Sequence, residues 1–316
     1  MRRFVRLLII AVLLMGIGGI QQADAGQKIT VLLDWFINPD HGPLLVALEK
    51  GFFADRGLDV EFQVPSNPND PPKLAAAKKA EIAVSYQPQH SLHVDQGLPL
   101  VRFATLVATP LNALVVLKDG GIGTISDLKG KTVGYSVGGF ETLLLEVMLE
   151  QSGLALDDVK LVNVNFSLSP SLIAGKTAAV IGAYRNFELN QMDLEGHAGR
   201  AFYVEEHGVP PYDELILVAH RDYVGSTMLR QFVDALEAGV QFLVNHPQES
   251  WDLFVRGRQD LVNELNRRAW RDTLPRFALR PGALDRTRYQ RFAEFLKARG
   301  LIKTVPALAS WAVELP

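Results

Sequence analysis

The sequence contains no cysteine among its 316 residues. This absence excludes a disulfide framework, a metal site built on thiolates and a cysteine nucleophile. It also removes the cysteine that carries the lipid of a bacterial lipoprotein. Any chemistry of the chain must therefore come from side chains other than cysteine, such as carboxylates, amides, hydroxyls, imidazoles and amines.

A strong charge of one sign is absent as well. The chain carries 32 lysines and arginines against 35 aspartates and glutamates, which gives a net charge of -3. Domains that bind nucleic acid normally present a basic patch. We therefore expect no nucleic-acid partner. The shares of hydrophobic residues, 48%, and of charged residues, 21%, are those of an ordinary globular protein.

Long hydrophobic runs are also scarce, and the N-terminal one is shorter than a membrane span. Three arginines precede the apolar run 7–14, and a small-residue Ala-Asp-Ala site ends at Ala25. This order is typical of a secretory signal peptide. A retained membrane anchor is the alternative, although three glycines interrupt the stretch. We expect a cleaved signal peptide over 1–25 and a mature protein that diffuses in the periplasm as a monomer.

Short β-branched or apolar runs alternate with helical patterns through much of the chain. The strand-like runs include 29–33, 60–64, 82–85, 132–135, 159–163 and 179–183. This alternation predicts βαβ units around mainly parallel sheets, in two similar α/β lobes. From Thr227 to Arg299 the pattern becomes helical, with Pro and Gly between the segments.

The order of these patterns predicts how the lobes are divided. About 290 residues exceed one typical hydrophobic core, which favours two lobes. If Leu114–Lys118 and Leu215–His220 are strands that cross between the lobes, the helical tail returns to the first lobe. We therefore predict that 26–115 and 219–316 form the first lobe and that 116–218 form the second.

Three aromatic side chains stand at the ends of predicted strands. Trp35 follows the first strand, Tyr86 follows the third, and Tyr184 follows a strand of the second lobe. Ligands of open parallel sheets bind at the carboxyl ends of the strands. We therefore expect Trp35 to stack on a flat ligand and Tyr86 and Tyr184 to supply an opposing face. Packing in the core is the alternative for each of them.

Seven short motifs lie at or near these strand ends. They are D-W-x-x-N-x-x-H at Asp34, Trp35, Asn38 and His41, P-S-N-P-x-D-P at Pro65 to Pro71, Y-Q-P at Tyr86 to Pro88, P-L-N at Pro110 to Asn112, G-K-T-V-G-Y at Gly130 to Tyr135, E-G-H at Glu195 to His197 and G-V-P-x-Y-x-E-L at Gly208 to Leu215. Together they resemble the periplasmic formylaminopyrimidine-binding proteins of thiamin salvage and, more broadly, the yeast-type thiamin-pyrimidine synthase superfamily.

This resemblance implies an α/β fold of the type II periplasmic-binding-protein class, in which two hinge strands join two α/β lobes around a ligand cleft. It implies a receptor that captures a small aromatic heterocycle, formylaminopyrimidine or hydroxymethylpyrimidine, by closing its lobes. The expected partner is a cognate ABC permease in the inner membrane. The related enzymes use a cysteine-rich iron motif and a lysine-bound cofactor, so we expect no enzymatic activity, no cofactor and no metal in this cysteine-free chain.

An aminopyrimidine carries ring-nitrogen acceptors and an amino donor, so it needs a carboxyl or amide group in an apolar slot. The candidates for this role are Glu188, Asn38, Asn186, Asp34 and Glu214. We favour Glu188, which should carry either a partner or a raised pKa if it faces inward; a surface salt bridge is the alternative. His41 is expected either to contact the ligand or to cap a helix.

Two other functions stay open. The same kind of receptor could bind riboflavin, nitrate or a sulfonate. However, a site for an anion should contain several basic side chains, and Arg185 is the only basic residue among the strand-end candidates. The chain could instead be a secreted pyrimidine-forming enzyme. A covalent lysine cofactor would then give an absorption band that a plain receptor lacks.

Overall fold

Two five-stranded sheets form the framework of the fold in a computed structural model that describes residues 26–315. The signal peptide predicted over 1–25 lies outside the described residues. The strands are β1 (Gln27–Leu32), β2 (Leu58–Gln63), β3 (Ile82–Ser85), β4 (Leu100–Val107), β5 (Asn112–Leu117), β6 (Thr132–Tyr135), β7 (Lys160–Asn163), β8 (Ala179–Tyr184), β9 (Gly199–Tyr203) and β10 (Leu215–His220). The α-helices are α1 (Gly42–Glu49), α2 (Pro71–Ala76), α3 (Gln87–Asp95), α4 (Phe140–Gln151), α5 (Leu168–Ile173), α6 (Glu188–Leu194), α7 (Thr227–Asn245), α8 (Pro247–Phe254), α9 (Glu264–Thr273) and α10 (Arg286–Ala298).

The two sheets have the same plan. The first has the strand order β2-β1-β3-β10-β4, in which β1 pairs in parallel with β2 and β3 and β10 runs antiparallel to β3 and β4. The second has the order β7-β6-β8-β5-β9, in which β6 pairs in parallel with β7 and β8 and β5 runs antiparallel to β8 and β9. Helices cover these sheets, so strands such as β8 are buried along nearly their whole length and are correspondingly apolar.

The chain crosses between the sheets twice, at 108–111 between β4 and β5 and at 204–214 between β9 and β10. β5 belongs to the second sheet and β10 to the first. The lobe boundaries that we predicted after residues 115 and 218 therefore fall inside these two strands, and we correct them to the segments that precede the strands. An apolar run predicts a strand but does not tell which sheet the strand joins.

The helical tail packs on the first lobe. α7 begins after Ser226, whose hydroxyl accepts a hydrogen bond from the Leu229 backbone N–H at 3.3 Å, and it lies against α1. Gly239 permits this close approach, because an added Cβ would lie 2.8 Å from the Cβ of Ala47. Among the helices of residues 26–315, none is long and apolar enough to cross a membrane.

Candidate functional site

A cleft between the two lobes collects most of the predicted site residues. The space inside it that can hold the centre of a water molecule is about 30 Å³. Its lining residues are Asp34, Trp35, Asn38, Asp40 and Tyr86 from the first lobe and Glu141, Leu168, Gly182, Tyr184, Phe187 and Glu188 from the second. The loops that follow β1, β3 and β8 meet here, as expected for the carboxyl ends of strands in α/β lobes.

A hydrogen-bond network around Asp34 braces the first-lobe wall of the cleft. The Tyr86 hydroxyl donates to Asp34 Oδ2 at 2.9 Å, and His41 Nε2 lies 2.9 Å from Asp34 Oδ1. His41 Nδ1 accepts from the Asn38 backbone N–H at 3.3 Å, so in this network Nε2 is the nitrogen that carries the proton. Burial raises the pKa of Tyr86 well above its usual value, so the phenol remains a donor. The loop that carries Trp35 is thereby fixed.

Aromatic side chains from both lobes surround Trp35. Its ring meets that of Phe166 edge-on with centroids 4.6 Å apart, and it lies 5.5 Å from the ring of Phe36. Phe36 in turn lies 6.0 Å from the ring of Phe187. Phe36 is 40% exposed, so this aromatic cluster extends from the cleft to the protein surface. An aromatic slot of this kind suits a flat ligand ring.

Glu188 begins α6 and lines the second-lobe wall. Its Oε2 accepts a hydrogen bond from the Tyr184 backbone N–H at 2.7 Å. The residue is buried, and this burial raises the pKa of its carboxyl group to about 7. Glu188 therefore has both the partner and the raised pKa that an inward-facing glutamate needs.

Glu141 is a second carboxyl group on the same wall, and we did not count it among the predicted contacts. Its Oε2 accepts from the Ser136 backbone N–H at 2.6 Å, and burial raises its pKa to about 8. The carboxyl group lies against Gly182 in β8, where φ is +103° and an added Cβ would clash with it. A glycine at this position thus makes room for Glu141.

Asp40 also lines the cleft, and sequence reasoning missed it. Its Oδ1 accepts hydrogen bonds from Asn186 Nδ2 at 2.6 Å and from Thr273 Oγ1 at 2.9 Å. Burial raises the pKa of its carboxyl group to about 6. The available signal was its position inside the D-W-x-x-N-x-x-H motif, immediately before His41.

Two other polar side chains of the predicted set accept hydrogen bonds from backbone N–H groups. Asn38 Oδ1 accepts from the Asp40 backbone N–H at 2.8 Å and caps the turn that follows it. Glu214 Oε2 accepts from the backbone N–H groups of Leu111 at 2.6 Å and Asn112 at 2.9 Å, and burial raises its pKa to about 7. Because Leu111 ends the first crossing and Glu214 ends the second, this carboxyl group joins the two connections between the lobes.

Apart from the further polar candidates Asp34 and Glu214, seven residues are predicted to contact a ligand, and five of these seven line the cleft. They are Trp35, Asn38, Tyr86, Tyr184 and Glu188. The other two do not line it. His41 is fully buried behind Asp34, and its Nδ1 accepts from the Asn38 backbone N–H, so it caps the turn after Asn38, which is one of its two predicted roles. Asn186 is buried in its hydrogen bond to Asp40 between the lobes. Ligand contact by the five residues stays a prediction.

Basic side chains are absent from the lining of the cleft within residues 26–315. Arg185, which follows Tyr184, donates to both carboxylate oxygens of Glu205 at 2.7 and 2.8 Å, and its guanidinium lies 4.1 Å from the ring centre of Tyr203. Four carboxyl groups line the cleft, those of Asp34, Asp40, Glu141 and Glu188. Such a cleft suits N–H donors and cations and disfavours anions.

Comparison with known proteins identifies the family. A family profile described as NMT1/THI5 like matches residues 38–250, and the chain belongs to this family. The match confirms the superfamily to which we attributed the sequence motifs.

Three relatives cover most of the chain. A Haemophilus influenzae protein whose name links it to thiamine biosynthesis is 52% identical over 92% of this chain and 93% of its own length. The formylaminopyrimidine-binding protein of Halalkalibacterium halodurans is 36% identical over 75% of this chain and 72% of its own. The 4-amino-5-hydroxymethyl-2-methylpyrimidine phosphate synthase of Schizosaccharomyces pombe is 23% identical over 76% and 72%. Binding proteins and synthases are thus both among the relatives.

Solved structures share the fold. The alkanesulfonate-binding protein of Xanthomonas axonopodis pv. citri, bound to MOPS, superposes with a TM-score of 0.70 over 92% of this chain and 99% of its own, at 15% sequence identity. At this identity the likeness concerns the fold alone. It confirms the predicted periplasmic-binding-protein fold of two α/β lobes.

Proposed function

We propose that this protein is a periplasmic solute-binding receptor of an ABC importer, and that it captures formylaminopyrimidine or hydroxymethylpyrimidine between its lobes. The observation that carries the proposal is the composition of the cleft. Aromatic side chains and carboxyl groups from both lobes line it, and no basic side chain does so within residues 26–315. The relative named as a formylaminopyrimidine-binding protein supports the same class of ligand.

Stacking and hydrogen bonding would share the recognition. Trp35 belongs to the first lobe and Tyr184 to the second, so a flat pyrimidine between them would bury both of its faces. The Glu188 carboxylate would accept a hydrogen bond from the exocyclic amino group of the pyrimidine. A buried carboxyl group that has lost its water regains a partner in this way, which favours the ligand over a ring without an amino group.

Closing of the lobes would couple binding to delivery. The lobes are connected by the crossings 108–111 and 204–214, and two such connections permit a hinge motion. A ligand that contacts both lobes favours the closed form by the difference in its affinity for the two forms. In this proposal the signal peptide directs the protein to the periplasm and the permease recognises the closed form.

The rival functions fit the cleft less well. A nitrate or sulfonate would meet four carboxyl groups and no cation among the lining residues. The resemblance implies that the pyrimidine-forming enzymes need a lysine-bound cofactor and a cysteine-rich iron motif. This sequence has no cysteine, and within residues 26–315 no lysine lines the cleft.

Mass spectrometry of small molecules released from the natively purified protein, followed by titration calorimetry, tests the proposal. We expect an aminopyrimidine to be released, and we expect hydroxymethylpyrimidine or formylaminopyrimidine to bind more tightly than riboflavin, nitrate or an alkanesulfonate. Tight binding of an anion, or an absorption band from a covalent cofactor, would contradict the proposal.

Removal of the Trp35 ring tests the stacking directly. Trp35→Ala should weaken pyrimidine binding by about 1–3 kcal/mol, because it removes the aromatic surface that the ligand covers. Trp35→Phe keeps a smaller ring and should fall between this variant and the wild type. Tryptophan fluorescence and calorimetry measure the effect. Unchanged affinity in a folded Trp35→Ala protein would remove this residue from the site.

A further inference from the structure

One carboxyl group at the cleft is bound on one oxygen and unpaired on the other. Asp40 is 1% exposed, and its Oδ1 accepts from Asn186 Nδ2 at 2.6 Å and from Thr273 Oγ1 at 2.9 Å. Its Oδ2 is buried and has no hydrogen-bond partner among the described residues. A buried polar atom without a partner destabilises a protein, so it calls for an explanation.

The bonds to Oδ1 connect the two lobes. Asn186 precedes α6 in the second lobe, whereas Asp40 follows β1 in the first and Thr273 ends α9, which packs on the first. A neighbouring contact between α6 and α9, from Arg268 Nη1 to Asp193 Oδ2 at 2.6 Å, is exposed and reaches neither Asn186 nor a residue of the cleft lining.

Asp40 itself lines the cleft together with Trp35 and Glu188. We propose that Asp40 Oδ2 accepts a hydrogen bond from a second donor of the bound ligand, and that the same residue thereby ties ligand recognition to the contact between the lobes. The inference rests on the proposed function, since it assigns one more recognition residue to the same cleft. The ligand class that it selects is an aminopyrimidine with an N–H or O–H donor on a neighbouring substituent.

The selection follows from the cost of an unpaired acceptor. A pyrimidine with its amino group alone can satisfy Glu188 but leaves Asp40 Oδ2 buried and unpaired. A pyrimidine with a second donor can satisfy both oxygens. Sites built to bond a ligand O–H or N–H reject analogues that lack it far more strongly than apolar pockets reject a change of shape. Because burial raises the pKa of Asp40 only to about 6, the carboxylate is an acceptor at about pH 8.

A pair of ligands tests the assignment on the wild-type protein. We expect 4-amino-5-hydroxymethyl-2-methylpyrimidine to bind about tenfold or more tightly than 4-amino-2,5-dimethylpyrimidine, which lacks the second donor, in calorimetry at about pH 8. Equal affinities would overturn the inference while leaving the proposed function intact. Failure of both pyrimidines to bind would overturn the proposed function as well.

The variant Asp40→Asn tests whether Asp40 causes the preference for the ligand with the second donor. Its amide oxygen can still accept from Asn186 and Thr273, but its NH₂ group replaces the acceptor at Oδ2. The preference for the ligand with the second donor should therefore collapse to about twofold or less. If the variant keeps the wild-type preference, Asp40 does not recognise the second donor.

The coupling to closure has its own measurement. Small-angle X-ray scattering should show a smaller ligand-induced compaction in Asn186→Ala than in the wild type. Asp193→Ala is the matched control, because it removes an exposed contact between α6 and α9 without touching Asn186, and it should compact as the wild type does. Equal compaction in all three proteins would overturn the link between Asp40 and lobe closure.

Discussion

The two walls of the cleft are built differently. In the first-lobe wall, the Asp34 carboxylate is held on both oxygens by the His41 and Tyr86 side chains. In the second-lobe wall, Glu141 and Glu188 are held by backbone N–H groups, and burial raises their pKa values to about 8 and about 7. The Asp34 network is therefore a fixed surface, whereas the second wall carries two carboxyl groups whose charge can change near neutral pH. In the first wall Asp40, whose pKa burial raises to about 6, shares this property.

This difference assigns separate tasks to the lobes. A surface whose side chains are already ordered loses little conformational entropy when a ligand stacks on it. A carboxyl group with a pKa near neutrality can adjust its protonation to the ligand that it meets. We infer that the first lobe supplies the fixed part of the stacking surface, at Trp35, and that the second lobe supplies Glu188 and Glu141 for polar selection, with Asp40 of the first lobe beside them.

Gly182→Ala should cause the largest change, and it acts on the second wall alone. The new Cβ would clash with the Glu141 carboxyl group, and alanine is strained at φ +103°. Together these effects should reduce the free energy of unfolding by about 2–5 kcal/mol and abolish tight binding. Thermal and urea unfolding measure the loss.

Gly175→Ala is the matched control for the backbone effect. Its φ is +68°, and no atom lies within 4 Å of an added Cβ, so it tests the strain without the clash. We expect it to cost about 1 kcal/mol and to leave ligand affinity unchanged. Equal losses in the two variants would mean that Gly182 serves only the backbone conformation and not the position of Glu141.

Substitution of Glu188 tests the polar selection. Glu188→Ala should weaken pyrimidine binding by about 1–3 kcal/mol, because the amino group of the ligand loses its acceptor. Glu188→Gln can still accept from the Tyr184 backbone N–H but presents NH₂ in place of the second oxygen, so its affinity should fall between the other two. Calorimetry gives the order. Three equal affinities would place Glu188 outside ligand recognition.

Between about pH 7 and about pH 8.5, the largest single contribution to the pH dependence of stability should come from Glu141, because its pKa is raised the furthest of the buried carboxyl groups. A glutamate in an unfolded chain ionises near its ordinary pKa of 4.5, whereas burial raises that of Glu141 to about 8. Between these values the folded protein holds a proton that the unfolded chain releases, so the free energy of unfolding falls as the pH rises. From about pH 7 to about pH 8.5 we expect a loss on the order of 1 kcal/mol in the ligand-free protein.

Glu141→Gln should flatten this decline, whereas the exposed Glu195→Gln should leave it unchanged. The buried His90 and His93 contribute little in this range, because burial lowers their pKa values to about 4 and both are mostly neutral above about pH 7 in either state. Urea unfolding at several pH values measures the slope. A Glu141→Gln protein with the wild-type slope would assign the titration to another group.

Much of the framework could be predicted from local pattern, and the exceptions have physical causes. The helical pattern predicted to begin at Thr227 does begin there, as α7, because the apolar positions of this segment recur at helical spacing. α6 was missed because its sequence is mostly polar and buries only Glu188 and Met192. β9 was missed because it is short and none of its residues is buried.

Site residues that follow directly on strands could be predicted from the sequence. Those whose surroundings come from distant segments of the chain could not. Trp35, Tyr86 and Tyr184 follow strands, so the rule for the ends of parallel strands was enough to bring them to one cleft. The environment of Asp40 depends on Thr273, which lies 233 residues away in the sequence. No local sequence pattern predicts a contact between residues so far apart in the chain.

The smallest predicted change compares the two tyrosine hydroxyls of the cleft. The Tyr86 hydroxyl donates to Asp34 at 2.9 Å, whereas the Tyr184 hydroxyl lies 3.5 Å from Glu214 Oε1. Tyr86→Phe should therefore cost about 1 kcal/mol of stability by leaving a buried carboxylate oxygen unpaired, and Tyr184→Phe should cost about 0.5 kcal/mol or less. Both variants keep the ring, so any loss of affinity should follow the same order. If Tyr184→Phe destabilises the protein more than Tyr86→Phe, the second wall is the more tightly braced one and the division of tasks between the lobes is wrong.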